Sequence, residues 1–167
     1  MSRERESEFT AEYWRRISNF LEKHLVGGLG LKVKQPTYDG KVPDIVVIDE
    51  TGIPQLIIET KRKSESGEEN ILDPLNMATV SQALCYAALA MEARNMDRTP
   101  MFTTANRGVA AVFKGVERAR VGELVDLCSC RERHNSLEDW AKALKPGAYK
   151  TLLQEYIMPN LLRNPLS

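Results

Sequence analysis

The sequence predicts an α/β domain in which a mixed central β-sheet is flanked by helices. Two observations carry that prediction. The first is a pair of apolar, β-branched runs, Ile45-Val46-Val47-Ile48 and Gln55 to Lys61, separated by Asp49-Glu50-Thr51-Gly52, the pattern of a β-hairpin. The second is the order strand, helix, strand that follows. A helix opened by Asp73-Pro74, an N-cap followed by proline at the first helical position, runs to about Ala93 and precedes a strand-like Thr99 to Ala105. That order makes a crossover unit.

The remaining elements fall into place around this pair. From Glu8 to about Val26 the apolar residues Phe9, Tyr13, Ile17, Phe20, Leu21 and Leu25 recur at helical spacing, and Gly27-Gly28-Leu29-Gly30 ends the helix. Leu31 to Gln35 alternates like a strand until Pro36. Arg62 to Asn70 is polar and reads as an exposed loop. After Ala105 the chain turns at Asn106-Arg107-Gly108, and Val109 to Phe113 pairs back as a further strand. From Leu137 onward two helical pieces are expected, divided by Pro146-Gly147. The chain is expected to form one domain over 1–167, with a core at about 8–114 and a helical extension at about 115–167.

Composition narrows the possible functions. The 167 residues carry 23 Lys plus Arg against 23 Asp plus Glu, with 43% apolar and 28% charged residues. This is the balance of a globular chain rather than a disordered or fibrous one. A net charge of zero supplies no global field to draw a polyanion, so any nucleic acid must be held by local patches. The apolar stretches, such as Ala83 to Met91, are too short to span a bilayer. The charged N-terminus lacks the apolar core of a signal peptide, and a cytoplasmic location is expected. Cys85, Cys128 and Cys130 are too few for a disulfide framework and are expected as unpaired or buried thiols, consistent with a reducing compartment.

The chemistry concentrates on the hairpin. Side chains alternate along a strand, so Glu59 and Lys61 share one face. If Ile48 lies opposite Gln55, counting back sets Asp44 across from Glu59, and two carboxylates and an ammonium converge at the open end of the sheet. Two such carboxylates suit one or two Mg²⁺ ions, which polarise a phosphate and acidify a bound water. Lys61 is then placed to orient that water or to stabilise developing negative charge. Without a cation the two acids would repel each other.

Pro43-Asp44, fourteen intervening residues and Glu59-Thr60-Lys61 together resemble the signature of the PD-(D/E)xK nuclease superfamily. Gln82-Ala83-Leu84-Cys85-Tyr86 is similar to the Q-x-x-x-Y motif on the helix after the catalytic hairpin in several of its branches, and an i, i+4 pair lies on one helical face. With Thr104-Ala105-Asn106-Arg107-Gly108 the pattern looks most like the nuclease domain at the N-terminus of type I restriction subunits and of fused restriction-modification proteins. The resemblance implies a restriction-endonuclease-like core and a metal-dependent DNA endonuclease of restriction or defence. It further implies Asp44 and Glu59 as metal ligands, Lys61 as the third catalytic residue, and Gln82 and Tyr86 in support of the site and the nucleic-acid backbone. Mg²⁺ is the implied cofactor, with Mn²⁺ able to substitute, and DNA the partner, alongside a homodimer or additional restriction subunits. An acid on the first helix often joins the metal site of such proteins. Glu12 is the favoured match, with Glu8 and Glu22 as alternatives, and Arg107 is a candidate phosphate contact.

Other patterns are weaker. Cys128-Ser129-Cys130 with His134 lacks the four ligands of a structural zinc site, and three cysteines cannot hold a four-cysteine iron–sulfur cluster. His24 and His134 lack a catalytic partner pattern. No phosphate-binding Gly-x-x-x-x-Gly-Lys-Ser/Thr loop is present, so ATP-driven motion would have to come from elsewhere. Lys32, Lys34, Lys41, Arg62 and Lys63 together suggest a basic rim for a phosphate backbone. Two other readings remain open: a repair or recombination nuclease resembling a junction resolvase, and a catalytically silent nuclease-like domain that binds DNA or protein.

Overall fold

A computed structural model describes residues 32–60, 75–106 and 110–158. The residues of the expected first helix with Glu8, Glu12 and Glu22, as well as Lys61, the expected loop at Arg62 to Asn70, Asp73-Pro74 and Arg107, lie outside the described residues.

The architecture is α/β. Five strands, β1 (Lys32–Lys34), β2 (Ile45–Ile48), β3 (Pro54–Thr60), β4 (Met101–Ala105) and β5 (Ala110–Phe113), lie side by side in chain order. All neighbours run antiparallel except β3 and β4, which are parallel. A parallel pair cannot be joined by a tight turn, and here the helix α1 (Met77–Ala93) makes the crossover. The sheet is therefore mixed, as the strand, helix, strand order predicts.

The β2–β3 turn is built by Asp49. Its Oδ1 accepts from the Thr51 amide at 2.9 Å, the Thr51 hydroxyl at 2.7 Å and the Ile53 amide at 3.0 Å, and its Oδ2 accepts from Gln55 Nε2 at 3.0 Å. Gly52 closes the turn at φ +84°, a left-handed conformation that favours glycine. The expected register needs one correction. Ile48 stands opposite Pro54, not Gln55, because the ladder shifts at Val47/Ile48. Proline has no N–H to give to a ladder, and it sits where the strand begins. Below the shift the pairs Val47–Leu56, Val46–Ile57 and Ile45–Ile58 restore the expected count.

These hydrogen bonds hold the Asp49 carboxyl below its ordinary value of 3.8, with the Thr51 hydroxyl the largest cause and the Ile53 amide next. A lowered folded pKa contributes stability above the unfolded value, and that contribution disappears as the pH falls through the folded one. Acid unfolding followed below about pH 4 should therefore be shallower for Asp49→Asn than for wild type. Equal slopes would show that the turn gains nothing from the charge.

Helix α1 is apolar on nearly every side, the pattern of a helix enclosed by protein. Its N-cap is Asn76, whose side chain accepts from the Ala78 amide at 2.9 Å. The cap expected at Asp73 is thus replaced by one three residues later. One side of α1 packs on the sheet face formed by Val46, Ile57, Phe102, Ala111 and Phe113, where Phe102 and Phe113 stack at 4.9 Å. The other side meets a C-terminal layer of short pieces: α2 (Arg118–Leu124), α3 (Leu127–Arg131), a 3₁₀ turn at Glu138–Ala143, and α4 (Ala148–Thr151), which widens into a π-type turn at Leu152–Tyr156. The two pieces expected around Pro146-Gly147 are there, and α2 and α3 fall within the expected helical extension, although neither was placed individually. Beyond them the chain lies along the β5 edge, where the Lys114 amide donates to Tyr156 O and the Met158 amide to Val112 O, both at 2.8 Å. The edge is thereby covered.

The sequence expectation fails for two cysteines. Cys85 of α1 and Cys130 of α3 form a disulfide, their Cα atoms 5.2 Å apart, and Cys128 is free and exposed. Two buried cysteines separated by 45 residues meet because the C-terminal layer folds back over α1. No helix among the described residues is long and apolar enough to cross a membrane.

Gly115, just after β5, approaches the backbone of Thr99 so closely that a Cβ would lie 2.3 Å from Thr99 O. Here glycine is demanded by space. Gly115→Ala should lower stability by about 3 kcal/mol through backbone displacement, read as a shift in the urea midpoint at unchanged slope. A change within experimental error would mean the segment relaxes freely.

Candidate active site

The hairpin register decides which side chains can meet. Continued one step beyond the Ile45–Ile58 pair, the register would set Asp44, just before β2, against Glu59. In an antiparallel pair directly opposed residues share a face. Val46 and Ile57 lie on the α1 side of the sheet, so by alternation Glu59 of β3 does too.

The contacts join the two residues through the Asp44 backbone, while the Asp44 carboxylate itself turns to Thr60. The Asp44 amide donates to Glu59 Oε1 at 3.1 Å. Asp44 Oδ2 accepts from the Thr60 amide at 2.8 Å and from the Thr60 hydroxyl at 3.0 Å, which fixes the carboxylate against β3. Gln35 Nε2 donates to Asp44 O at 3.0 Å and tethers the same residue from the β1 side. Glu59 is only 2% exposed, whereas Asp44 is half-buried. A carboxylate buried that deeply is costly unless charges or donors meet it.

Helix α1 brings the next two residues. Gln82 Nε2 donates to the Tyr86 hydroxyl at 3.3 Å, so the i, i+4 pair forms the shared face its spacing predicts. Tyr86 also feels the acid pair. Its hydroxyl is pushed up from 10.0 to about 12, first by burial and then by the negative charge of Glu59, with Asp44 adding to the rise and the Gln82 hydrogen bond opposing it. Tyr86 is therefore a protonated phenol across the neutral pH range, beside two carboxylates.

Four of the predicted residues, Asp44, Glu59, Gln82 and Tyr86, thus come together. Lys61, Glu12 and Arg107 fall outside the described residues. Among the described residues no group of three His, Cys, Asp or Glu side chains gathers as a metal cluster. The pair alone still suits Mg²⁺, an ion commonly held by one or two carboxylates while water and substrate oxygens fill its other positions. Asp44 is well placed for this, because Thr60 engages Oδ2 and no described group bonds to Oδ1.

Sequence reasoning overlooked Trp140 and the contacts that Lys41 makes with it. The Trp140 ring meets Tyr86 edge-on at 5.4 Å between centroids, and its carbonyl accepts from the Ser81 hydroxyl on α1. Lys41, read as one member of a basic rim, extends its ammonium over that ring at 5.1 Å. Trp140 lies far along the chain from the hairpin, and no local pattern marks it as a neighbour of the site. His134 lies tilted against the same ring, with 4.2 Å between centroids. No family model, curated protein or solved structure matches this chain.

Proposed function

We propose that this chain is a metal-dependent deoxyribonuclease with a restriction-endonuclease-like core, serving in restriction or defence, and that Asp44 and Glu59 are its metal ligands. The observation that carries the reading is the closeness of Asp44 and Glu59 at the open end of β2 and β3, where the Asp44 amide donates to Glu59 Oε1 and the charges of both acids are felt by Tyr86 of α1. The strand order, with a crossover helix between the parallel pair β3 and β4, supports it.

A divalent cation on the pair would neutralise a scissile phosphate and lower the pKa of a bound water. The chain's own residues then divide the remaining work. Thr60 holds Asp44 in a single orientation through two hydrogen bonds. Tyr86, protonated at neutral pH, offers a hydroxyl rather than a third negative charge, which suits a site that must accept a phosphodiester. Lys61, two residues beyond Glu59 in the motif, orients the attacking water or stabilises charge on the departing oxygen.

The test is incubation of the purified protein with supercoiled, linear and branched DNA in Mg²⁺, in Mn²⁺ and in excess chelator. Nicking or linearisation that requires metal is expected, and Lys61→Ala should slow it by about a hundredfold. The branched substrate separates a resolvase-like preference from general cleavage. Failure to cut any of the three in either metal would overturn the assignment.

A further inference from the structure

The segment that leads into Asp44 is docked on the C-terminal layer. Tyr38 and Lys41 close a tight turn through two backbone hydrogen bonds, from the Tyr38 amide at 2.8 Å and from the Lys41 amide at 2.9 Å. Between them Asp39 and Gly40 take left-handed conformations, φ 49° and 78°, as a mirror-image turn requires. Three residues of this turn are anchored. Tyr38 is buried in the core that contains α1. The Asp39 carboxylate accepts from Arg131 Nε at 2.9 Å. Lys41 Nζ donates to the Glu132 carbonyl at 2.5 Å and lies over the Trp140 ring.

These anchors differ in weight. Arg131 and Asp39 are both substantially exposed, and such a pair contributes little by itself. The Lys41 ammonium combines a charge-assisted hydrogen bond with a cation–π contact. The turn reaches Asp44 through Val42 and Pro43, and proline restricts its own backbone and that of the residue before it. A shift of the turn is therefore passed on to Asp44 rather than absorbed between them. Trp140 also touches Tyr86, so one indole supports both the strand carrying Asp44 and the helix facing it.

We propose that Lys41 is a positioning residue of the acid pair: its ammonium, held between the Glu132 carbonyl and the Trp140 ring, sets where Asp44 stands relative to Glu59 and thereby the affinity of the pair for a divalent cation. The inference rests on the metal-ligand reading of Asp44 and Glu59. It also separates Lys41 from the basic rim, because an ammonium engaged by a carbonyl and a ring is not presented to a phosphate backbone.

The experiment is a Tb³⁺ titration of the full chain, read by luminescence sensitised through the neighbouring Tyr86 and Trp140, with Mg²⁺ as competitor. Wild type is compared with Lys41→Met, Lys41→Arg and Asp44→Asn, and each melting temperature is recorded. Lys41→Met keeps the aliphatic stem but removes the charge and the donor, and should weaken Tb³⁺ binding on the order of tenfold, the usual cost of losing a group that orients a metal ligand. Lys41→Arg, which still donates and stacks on an aromatic face, should return to within about twofold of wild type. If the Met variant does not fold, Lys41→Gln replaces it, keeping a donor for the carbonyl but no charge over the ring. A lower melting temperature with unchanged Tb³⁺ affinity would make Lys41 merely structural and overturn the proposal. So would a variant with wild-type Tb³⁺ affinity whose DNA binding is weaker and less salt-dependent, the behaviour of a phosphate contact. Wild-type Tb³⁺ binding by Asp44→Asn is a different result: it would remove the metal-ligand reading itself, and this inference with it.

Discussion

Asp44→Asn is expected to reduce metal-dependent cleavage on the order of a thousandfold, equivalent to about 4 kcal/mol of transition-state stabilisation, while the melting temperature of the metal-free protein stays at or above that of wild type. The two halves of this expectation have separate causes. In the native protein Asp44 Oδ2 accepts two hydrogen bonds from Thr60, and an asparagine carbonyl oxygen can accept both in the same place. The Asp44 amide that donates to Glu59 is unaffected by the change. Local structure is therefore retained, and one of two adjacent like charges is removed, which relieves repulsion in the absence of a cation. The amide, however, carries no charge with which to hold a divalent ion, and its NH₂ turns a donor toward the cation. Stability and activity should consequently move in opposite directions, the usual sign of a residue kept for function. The measurements are kcat/KM on supercoiled DNA in Mg²⁺ and calorimetric melting in chelator. A variant that melts several degrees lower and loses activity only in proportion to its unfolded fraction would identify Asp44 as a turn residue with no chemical role.

That this pair could be found from sequence reflects short-range geometry. Asp44 and Glu59 belong to one hairpin, and the period of a strand is so strict that counting residues specifies a face. Even the shift at Val47/Ile48 did not spoil the count, because the irregularity is confined to the turn end and the pairs from Val47 down to Ile45 keep the expected sum. Gln82 and Tyr86 were legible for a similar reason, since one helical turn joins them. Helix α1 showed its enclosure through the apolar run Ala83 to Met91, although nothing local distinguished Asp73 from Asn76 as its cap. The C-terminal layer was harder to read. α2 and α3 are seven and five residues long, too short for a helical period to emerge. The contacts that bind this layer to the site run from Asp39 to Arg131 and from Lys41 to Trp140, and a single sequence contains no sign of such long-range pairing. The cysteines were misjudged on the same account: their number was weighed, but their spatial neighbours could not be.

The disulfide yields the second large effect. Cys85 precedes Tyr86 on α1, and Cys130 precedes Arg131 and Glu132, which anchor the turn before Asp44. The bond therefore ties the helix facing the acid pair to the layer that holds the strand carrying it. Closing a loop of this length restricts the unfolded chain by about 4 kcal/mol in the chain-entropy account, and for a domain of this size that corresponds to a fall of about 10 °C in melting temperature when the bond is broken. Both cysteines are fully buried, so reduction also asks two thiols to occupy the space of one bond, which opposes any relaxation that would offset the loss. Calorimetry with and without a reductant, on wild type and on Cys128→Ser, checks this. Cys128 is exposed and takes no part in the bond, so its replacement should leave the reductant-dependent difference intact. Alkylation of unreduced protein in denaturant should label one cysteine of the three. Labelling of all three, or a melting temperature indifferent to reductant, would mean that packing alone holds α3 against α1. Because Tyr86 and the Asp44 turn are joined through this bond, the reduced protein should lose affinity for a divalent cation before it loses its fold, a sequence of events that a bond serving stability alone would not produce.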